Sequence, residues 1–128
     1  MCSVLIVEDH FETRTVLEAV LGSWGHDVHS AGTAAEALDA LNKQPFDVVV
    51  SDIGLPDETG WEMMRKIRVT NKKIRGIALT AHFSDLDREL SRAAGFNFHL
   101  TKPPDTDRLQ AVISGGDYKH YRVESQLW

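Results

Sequence analysis

The chain has 128 residues, of which 42% are hydrophobic and 26% charged, and this is typical of one compact globular domain. Its formal net charge of −5 argues against direct nucleic-acid binding and against attraction to an anionic membrane, because like charges repel. The single cysteine, Cys2, excludes a disulfide framework and a cysteine-rich zinc site, and no apolar run reaches the ~18–20 residues of a membrane span. We therefore expect a cytoplasmic domain without membrane insertion.

Five short apolar segments, each followed by a segment with helical spacing, predict alternating strands and helices. The predicted strands lie at residues 4–7, 28–29, 48–50, 77–80 and 98–100. The first, third and fourth are almost continuously apolar, as expected for parallel strands that are covered on both faces. The alternation favours an α/β fold, in which helices cover both faces of a parallel sheet.

The helical segments carry recognisable start and stop signals. Thr33 and Glu36 predict a capping box at the start of the second helix, with Thr33 as the N-cap. The last helix is predicted to begin after Asp105 and to end at Gly115-Gly116, where glycine terminates helices. We expect one domain at residues 1–116 and a tail at residues 117–128, which is polar and shows no periodicity.

Polar residues follow four of the predicted strands. Reactive groups in a parallel α/β sheet gather outside the carboxyl ends of its strands. The residues at these ends are Glu8, Asp9, Asp52, Thr80 and Lys102. We therefore expect three carboxylates, a hydroxyl and an ammonium to converge on one edge of the sheet.

Three carboxylates in one cleft repel one another, which raises their pKa values and lowers stability. A divalent cation removes this penalty, and Mg²⁺ suits the site because it binds one or two carboxylates, retains waters and leaves positions for phosphate oxygens. Glu8 and Asp9 are the candidate ligands, and the backbone carbonyl of Gly54 is a further one.

This set of groups indicates phosphoryl chemistry. Asp52, at the end of the central strand, is the candidate nucleophile, since a carboxylate can attack phosphorus and form an acyl phosphate. Lys102 would offset negative charge, and Thr80 would donate a hydrogen bond to a phosphoryl oxygen. Ala81 is small enough to leave room for that oxygen.

Taken in order, these motifs resemble the receiver domains of two-component response regulators and hybrid histidine kinases. The resemblance covers nearly the whole chain, and it rests on Val7-Glu8-Asp9-His10, Ser51-Asp52-Ile53-Gly54-Leu55-Pro56, Thr80-Ala81 and Lys102-Pro103. It implies a flavodoxin-like, doubly wound sheet of five parallel strands in the order 2-1-3-4-5, with five helices.

The resemblance also implies a function. Asp52 would accept a phosphoryl group from a phosphohistidine of a histidine kinase or a histidine phosphotransfer domain, in a Mg²⁺-dependent reaction. The isolated domain would then catalyse only its own phosphorylation and dephosphorylation. The implied metal ligands are Glu8, Asp9, Asp52 and the Gly54 carbonyl, and the implied phosphoryl contacts are Thr80 and Lys102.

The chain departs from the family pattern three residues before Lys102. The family usually has Tyr or Phe there, a side chain that moves inward together with the threonine, but this chain has His99. A histidine makes that switch pH-sensitive or puts it in doubt. We expect Thr80 and His99 to be the switch residues, phosphorylation to repack residues 84–113, and the chain to be a monomer or a weak dimer through this face, which comprises helix four, strand five and helix five.

Other classes of protein lack their motifs here. A haloacid-dehalogenase-type phosphatase needs a second Asp two residues after the nucleophile, where Gly54 stands, and a Toprim site needs an Asp-x-Asp. Neither a dinucleotide-binding G-x-G-x-x-G nor a P-loop is present. The remaining alternative is a receiver-shaped protein-interaction module that works without phosphorylation.

Several residues also have plainer interpretations. Asp9 alone could be the N-cap of the first helix, and Trp61 is interpreted as helix packing. His82, two residues after Thr80, is interpreted as a surface residue in preference to a residue at the mouth of the site. No segment resembles a helix-turn-helix or an enzyme module. We expect a stand-alone receiver or, preferably, the C-terminal receiver of a hybrid sensor kinase, whose parent protein could be membrane-anchored.

Overall fold

The computed structural model describes residues 1–81 and 84–115. The predictions for His82 and for the tail at residues 117–128 lie outside the described residues. Within the described part of the chain, no helix is both long and apolar enough to span a bilayer.

Five strands and five helices alternate along these residues, as the sequence predicts. The strands are β1 (Ser3–Val7), β2 (Asp27–Ala31), β3 (Val48–Ser51), β4 (Arg75–Thr80) and β5 (Phe98–Thr101). The helices are α1 (Phe11–Ser23), α2 (Ala34–Lys43), α3 (Gly60–Thr70), α4 (Asp85–Ala94) and α5 (Thr106–Ser114).

The strands form one parallel sheet in the order β2-β1-β3-β4-β5, which confirms the expected topology. The register aligns Val7 of β1 with Ser51 of β3, the last residue of each strand. The residues that follow them, Glu8 and Asp52, therefore leave the sheet side by side at its carboxyl edge.

Alternate residues of the strands point to opposite faces of the sheet, and each face has its own core. One core lies under α2, α3 and α4, and its strand residues include Leu5, Val7, Val49 and Ala78. The other lies under α1 and α5, and its strand residues include Val4, Ile6, Val50 and Leu79. Burial on both faces explains why β1, β3 and β4 are continuously apolar.

Two helix starts differ from the sequence predictions. The N-cap of α1 is His10, whose side chain accepts the Thr13 N–H, so the interpretation of Asp9 as the cap is wrong. Thr33 does cap α2, but the Glu36 carboxylate accepts the Thr33 hydroxyl at 3.2 Å instead of the Thr33 N–H. The predicted capping box is therefore only half formed.

Candidate active site

Three carboxylates meet where β1 and β3 end. Glu8, Asp9 and Asp52 each offer one carboxylate oxygen, and these atoms lie within 4.8 Å of one another. The backbone fixes two of these residues, since the Glu8 N–H donates to the Ala31 carbonyl and the Asp52 N–H donates to the Val7 carbonyl, each at 3.0 Å. The cluster predicted from the strand ends is thus present.

The three carboxylates lie at different depths. Glu8 is buried, with 2% of its surface exposed, while the Asp52 side chain is 16% exposed and Asp9 lies at the surface. The buried Glu8 carboxylate contacts Lys102 through Oε1 and accepts the His10 N–H at 3.2 Å through Oε2. A buried carboxylate of this kind needs such partners, because burial disfavours an uncompensated charge.

Lys102 places its ammonium between two of the carboxylates. Nζ contacts Glu8 Oε1 and lies 3.1 Å from Asp52 Oδ2, and the backbone N–H of Lys102 donates to the Thr80 carbonyl at 2.9 Å. Burial alone would lower the pKa of Lys102, but the hydrogen bond with Glu8 and the charge of Asp52 outweigh it and raise the pKa above its usual value. Lys102 is therefore fully protonated near neutral pH.

The other oxygen of Asp52 is held by the loop that follows β3. Oδ1 accepts the Ile53 N–H at 2.7 Å and the Gly54 N–H at 3.4 Å. Asp52 thus has one oxygen oriented by backbone amides and one beside an ammonium, with part of the side chain facing solvent. This arrangement fixes the carboxylate while leaving it accessible to an incoming group.

The oxygen donors of this cluster fit Mg²⁺. The site holds three carboxylates and one ammonium, so its charges sum to −2 when all groups are ionised. Mg²⁺ prefers hard oxygen ligands and is commonly held by one or two carboxylates together with water. The predicted ligands Glu8, Asp9 and Asp52 are brought together, and Gly54 lies exposed beside Asp52.

Thr80 and His99 occupy neighbouring strands but different positions relative to the carboxylates. Thr80 is buried at the carboxyl end of β4, next to the exposed Ala81. His99 pairs with Ala78 in the sheet and is half-buried on the side of α3 and α4, with its Nδ1 3.0 Å from Ser91 Oγ. His99 therefore lies within the sheet, beside α4, and not at the edge that holds the carboxylates.

Ser91 is not among the residues that the sequence predicts for the site. Its buried hydroxyl contacts His99 and accepts the Trp61 indole N–H at 2.9 Å, so Trp61 both packs against the core and joins α3 to α4. Ser91 lies three residues before the buried Ala94, on the same face of α4. A polar residue at that helical spacing was the available signal.

Two further residues near the site were also missed. Arg14 donates to the Glu8 carbonyl at 3.0 Å, and Asp57 accepts two backbone N–H groups from the start of α2. Asp57 and its partners are 22 and 23 residues apart in sequence, and no local pattern pairs residues at such a distance.

A shallow apolar groove opens beside Lys102, between α1 and α5. Its lining includes Val16, Val20, Pro104 and Leu109. Phe11, at the start of α1, is 67% exposed.

Comparison with known proteins agrees with this geometry. The sequence profile of the response regulator receiver domain matches residues 4–114. The chain belongs to this family, the receiver domains of two-component systems, whose general function is phosphoryl transfer to an aspartate.

Individual relatives include parts of sensor proteins. The chain is 30% identical to the sensor protein EvgS of Escherichia coli K12 across 96% of its own length, but it spans only 11% of that protein. It is 36% identical to a 14.6 kDa protein in the sodA1 3' region of Leptolyngbya boryana, and the match covers 86% of each chain. The receiver domain of the sensor histidine kinase PA1611 from Pseudomonas aeruginosa, solved with a magnesium ion in its active-site cleft, superposes with a TM-score of 0.82 at 33% identity, over 89% of this chain and 95% of that one.

Proposed function

We propose that this chain accepts a phosphoryl group from a phosphohistidine onto Asp52. The observation that carries the proposal is the position of the Asp52 carboxylate, which is partly exposed, 3.1 Å from the Lys102 ammonium and grouped with two further carboxylates. In the transfer, an Asp52 oxygen forms a bond to phosphorus while the bond from phosphorus to the donor imidazole nitrogen breaks, and the electron pair stays on that nitrogen. An acyl phosphate results.

The neighbouring residues have distinct roles in this proposal. Lys102 offsets the negative charge of the incoming phosphoryl group, and Thr80 donates its hydroxyl to one of the phosphoryl oxygens. Glu8, Asp9 and Asp52 would hold Mg²⁺ together with the Gly54 carbonyl, and the bound ion would supply charge neutralisation for the anionic donor. The magnesium ion in the PA1611 receiver supports this assignment of the metal.

The donor is a histidine kinase or a histidine phosphotransfer domain. The apolar groove between α1 and α5 lies beside Lys102, the exposed Val16 lines it, and the exposed Phe11 lies in the chain between His10 and Glu12, which also line it. A partner helix packed there would bring its histidine close to Asp52. The likeness to EvgS and to the PA1611 receiver supports a parent protein that is a hybrid sensor kinase.

Thr80 and His99 are proposed to transmit phosphorylation to the face formed by α4, β5 and α5. A phosphoryl group adds about −1.5 to −2 charges and three acceptor oxygens at Asp52, which attract the Thr80 hydroxyl. His99 of β5 contacts Ser91 of α4 through Nδ1, so a movement of this side chain would shift α4 relative to β5. We expect amide NMR shifts at residues 84–113 when a phosphoryl mimic binds, and a changed pattern in His99→Tyr; identical patterns in both chains would remove His99 from the switch.

The direct test is phosphorylation by a small-molecule phosphodonor with Mg²⁺, followed by intact mass measurement. The wild-type chain should gain one base-labile phosphate, and Asp52→Asn or addition of EDTA should abolish the gain. Asp47→Asn is the matched control, because Asp47 is a carboxylate at the opposite end of the sheet, where it accepts the Ser3 N–H.

Two results would contradict the proposal in different ways. Equal labelling of the Asp52→Asn chain would show that another residue is the acceptor. A wild-type chain that accepts no phosphate from the small donor or from a phosphorylated histidine domain would favour an interaction module that works without phosphorylation.

A further inference from the structure

Asp57, in the loop between β3 and α3, is hydrogen-bonded to the first turn of α2. Its Oδ1 accepts the Ala34 N–H at 3.0 Å, and its Oδ2 accepts the Ala35 N–H at 2.9 Å. The first N–H groups of a helix have no partner within the helix, so a carboxylate that accepts two of them is a strong capping group. These two hydrogen bonds lower the pKa of the Asp57 carboxyl, which keeps it ionised at neutral pH.

The two ends of the loop that carries Asp57 are joined to each other immediately after Asp52. Gly60 donates its N–H to the Ile53 carbonyl at 2.7 Å, and Gly54 pairs with Thr59 in an antiparallel bridge. A Cβ atom on Gly60 would lie 2.4 Å from the Asp52 carbonyl oxygen, so the absence of a side chain at this position permits the close approach.

This loop also holds groups of the proposed active site. The Ile53 and Gly54 N–H groups orient Asp52 Oδ1, and Gly54 is the proposed carbonyl ligand of Mg²⁺. Asp57 lies three residues after Gly54, between the two halves of the Gly54–Thr59 bridge. Fixing Asp57 on α2 therefore fixes the far side of the same closed loop that positions Gly54.

We propose that Asp57 is a positioning residue for the metal and phosphoacceptor site: by anchoring the loop to the start of α2, it sets where Gly54 lies relative to Asp52. The inference rests on the proposed function, since it concerns the affinity of that site for Mg²⁺. It also implies a reciprocal effect, because two linked events stabilise each other equally. Mg²⁺ binding should slow hydrogen exchange at the Ala34 and Ala35 N–H groups.

Thr33 provides a matched control. Its hydroxyl caps the same helix by accepting the Glu36 N–H at 3.0 Å, yet among the described contacts it does not touch the β3–α3 loop. Thr33→Ala and Asp57→Ala should both lower the midpoint of urea unfolding, because each removes a cap from α2. A role of Asp57 in capping alone would give the two variants the same behaviour towards Mg²⁺.

The test is a calorimetric titration of Mg²⁺ into the wild-type chain, Asp57→Ala, Asp57→Asn and Thr33→Ala, with amide exchange measured with and without the ion. We expect the Mg²⁺ dissociation constant to rise ~10-fold in Asp57→Ala, the low end of the effect of outer-sphere residues on metal affinity. Asp57→Asn should be intermediate, since an amide has one acceptor oxygen for two N–H groups. Thr33→Ala should match the wild type.

The outcomes separate the inference from the proposed function. Unchanged Mg²⁺ affinity in Asp57→Ala, with stability lowered as in Thr33→Ala, would overturn the positioning role alone. A wild-type chain that binds no Mg²⁺ would overturn both the metal site and this inference. If Asp57→Ala does not fold, the Mg²⁺ affinity of Asp57→Asn and the exchange rates of the Ala34 and Ala35 N–H groups in the wild-type chain test the positioning role. Exchange rates that do not change when Mg²⁺ is added would contradict that role.

Discussion

The two ends of the parallel strands use polar side chains in opposite ways. At the amino ends, side chains bind backbone groups: Asp47 accepts the Ser3 N–H at 2.8 Å, Asn97 accepts the Gly76 N–H at 2.9 Å, and Arg75 donates to the Ile113 carbonyl at 2.7 Å. At the carboxyl ends, three carboxylates lie close together, and the Lys102 ammonium contacts two of them, Glu8 and Asp52.

The difference means that polar side chains stabilise the fold at the amino ends of the strands and lower its stability at the carboxyl ends. Hydrogen bonds at the amino ends tie backbone groups to side chains, and each such bond stabilises the fold by about 0.5–1.5 kcal/mol. The carboxyl ends hold like charges close together, which lowers stability but makes the edge attractive to a cation and to a phosphoryl group. Removing a carboxylate at the carboxyl ends should therefore raise stability, whereas removing a hydrogen-bonding side chain at the amino ends should lower it.

The largest expected effect is that of Lys102→Met. Glu8 is buried, so removing the ammonium leaves an uncompensated carboxylate and should lower the free energy of unfolding by about 3–5 kcal/mol. Urea unfolding at several pH values measures this loss in the free energy of unfolding. The raised pKa of Lys102 means that its contribution is fully present below ~10.4, the usual lysine value, and is lost only as pH rises through the higher folded-state pKa.

Lys73→Met is the control for this variant, since Lys73 is an exposed lysine at the amino end of the sheet. It should change the free energy of unfolding by less than about 0.5 kcal/mol. If Lys102→Met were equally neutral between pH 7 and pH 9, the ion pair with Glu8 would not be a stabilising contact in solution.

Arg68→Ala should have the next largest effect, at the amino ends. The half-buried guanidinium donates to the Gly95 carbonyl at 3.0 Å, the Asn71 carbonyl at 3.1 Å and Asn97 Oδ1 at 3.0 Å. Its loss should lower the free energy of unfolding by about 2–4 kcal/mol, because a charged group with several partners is removed. Phosphate incorporation per folded molecule should stay at the wild-type level.

The exposed Arg65 of the same helix is the matched control, and Arg65→Ala should be nearly neutral in urea unfolding. A loss of phosphorylation in folded Arg68→Ala would mean that the two ends of the strands are coupled, which would break the contrast between them.

The smallest expected effect is a gain of stability in Asp9→Asn without Mg²⁺. Removing one of three like charges should raise the free energy of unfolding by at most about 1 kcal/mol at low salt, the Coulomb energy of two unit charges ~4 Å apart in water. Mg²⁺ should reverse the order, because it stabilises the wild-type chain by mass action and binds the variant more weakly. Thermal melts should show the higher melting temperature for Asp9→Asn in EDTA and for the wild-type chain in millimolar Mg²⁺. Melting temperatures that are the same with and without Mg²⁺ in both chains would contradict this prediction.

The sequence predicted the carboxyl-end cluster because parallel strands deliver their last residues to one edge. Apolar strand segments could be located in the sequence, so the clustering of Glu8, Asp52 and Lys102 could be predicted from their positions directly after strand ends. The cap of α1 could not be assigned in this way, since both Asp9 and His10 precede the helix and only the folded geometry selects His10.

The contacts of Asp57 and Ser91 were not predictable for a related reason. Each joins elements that are distant in sequence, namely the β3–α3 loop with α2, and α4 with α3 and β5. Local spacing identifies the elements and their buried faces, but which loop residue meets which helix end depends on the tertiary arrangement.

The hydrogen bond between Trp61 and Ser91 makes Trp61 suitable as an intrinsic fluorescence probe. The indole N–H is bound to a hydroxyl that also contacts His99, so we expect the emission of Trp61 to change with the arrangement of α3, α4 and β5. The chain has two other tryptophans, and Trp24 packs on the opposite core. With Trp24 and Trp128 replaced by phenylalanine, stopped-flow fluorescence would follow this region in real time without an attached dye.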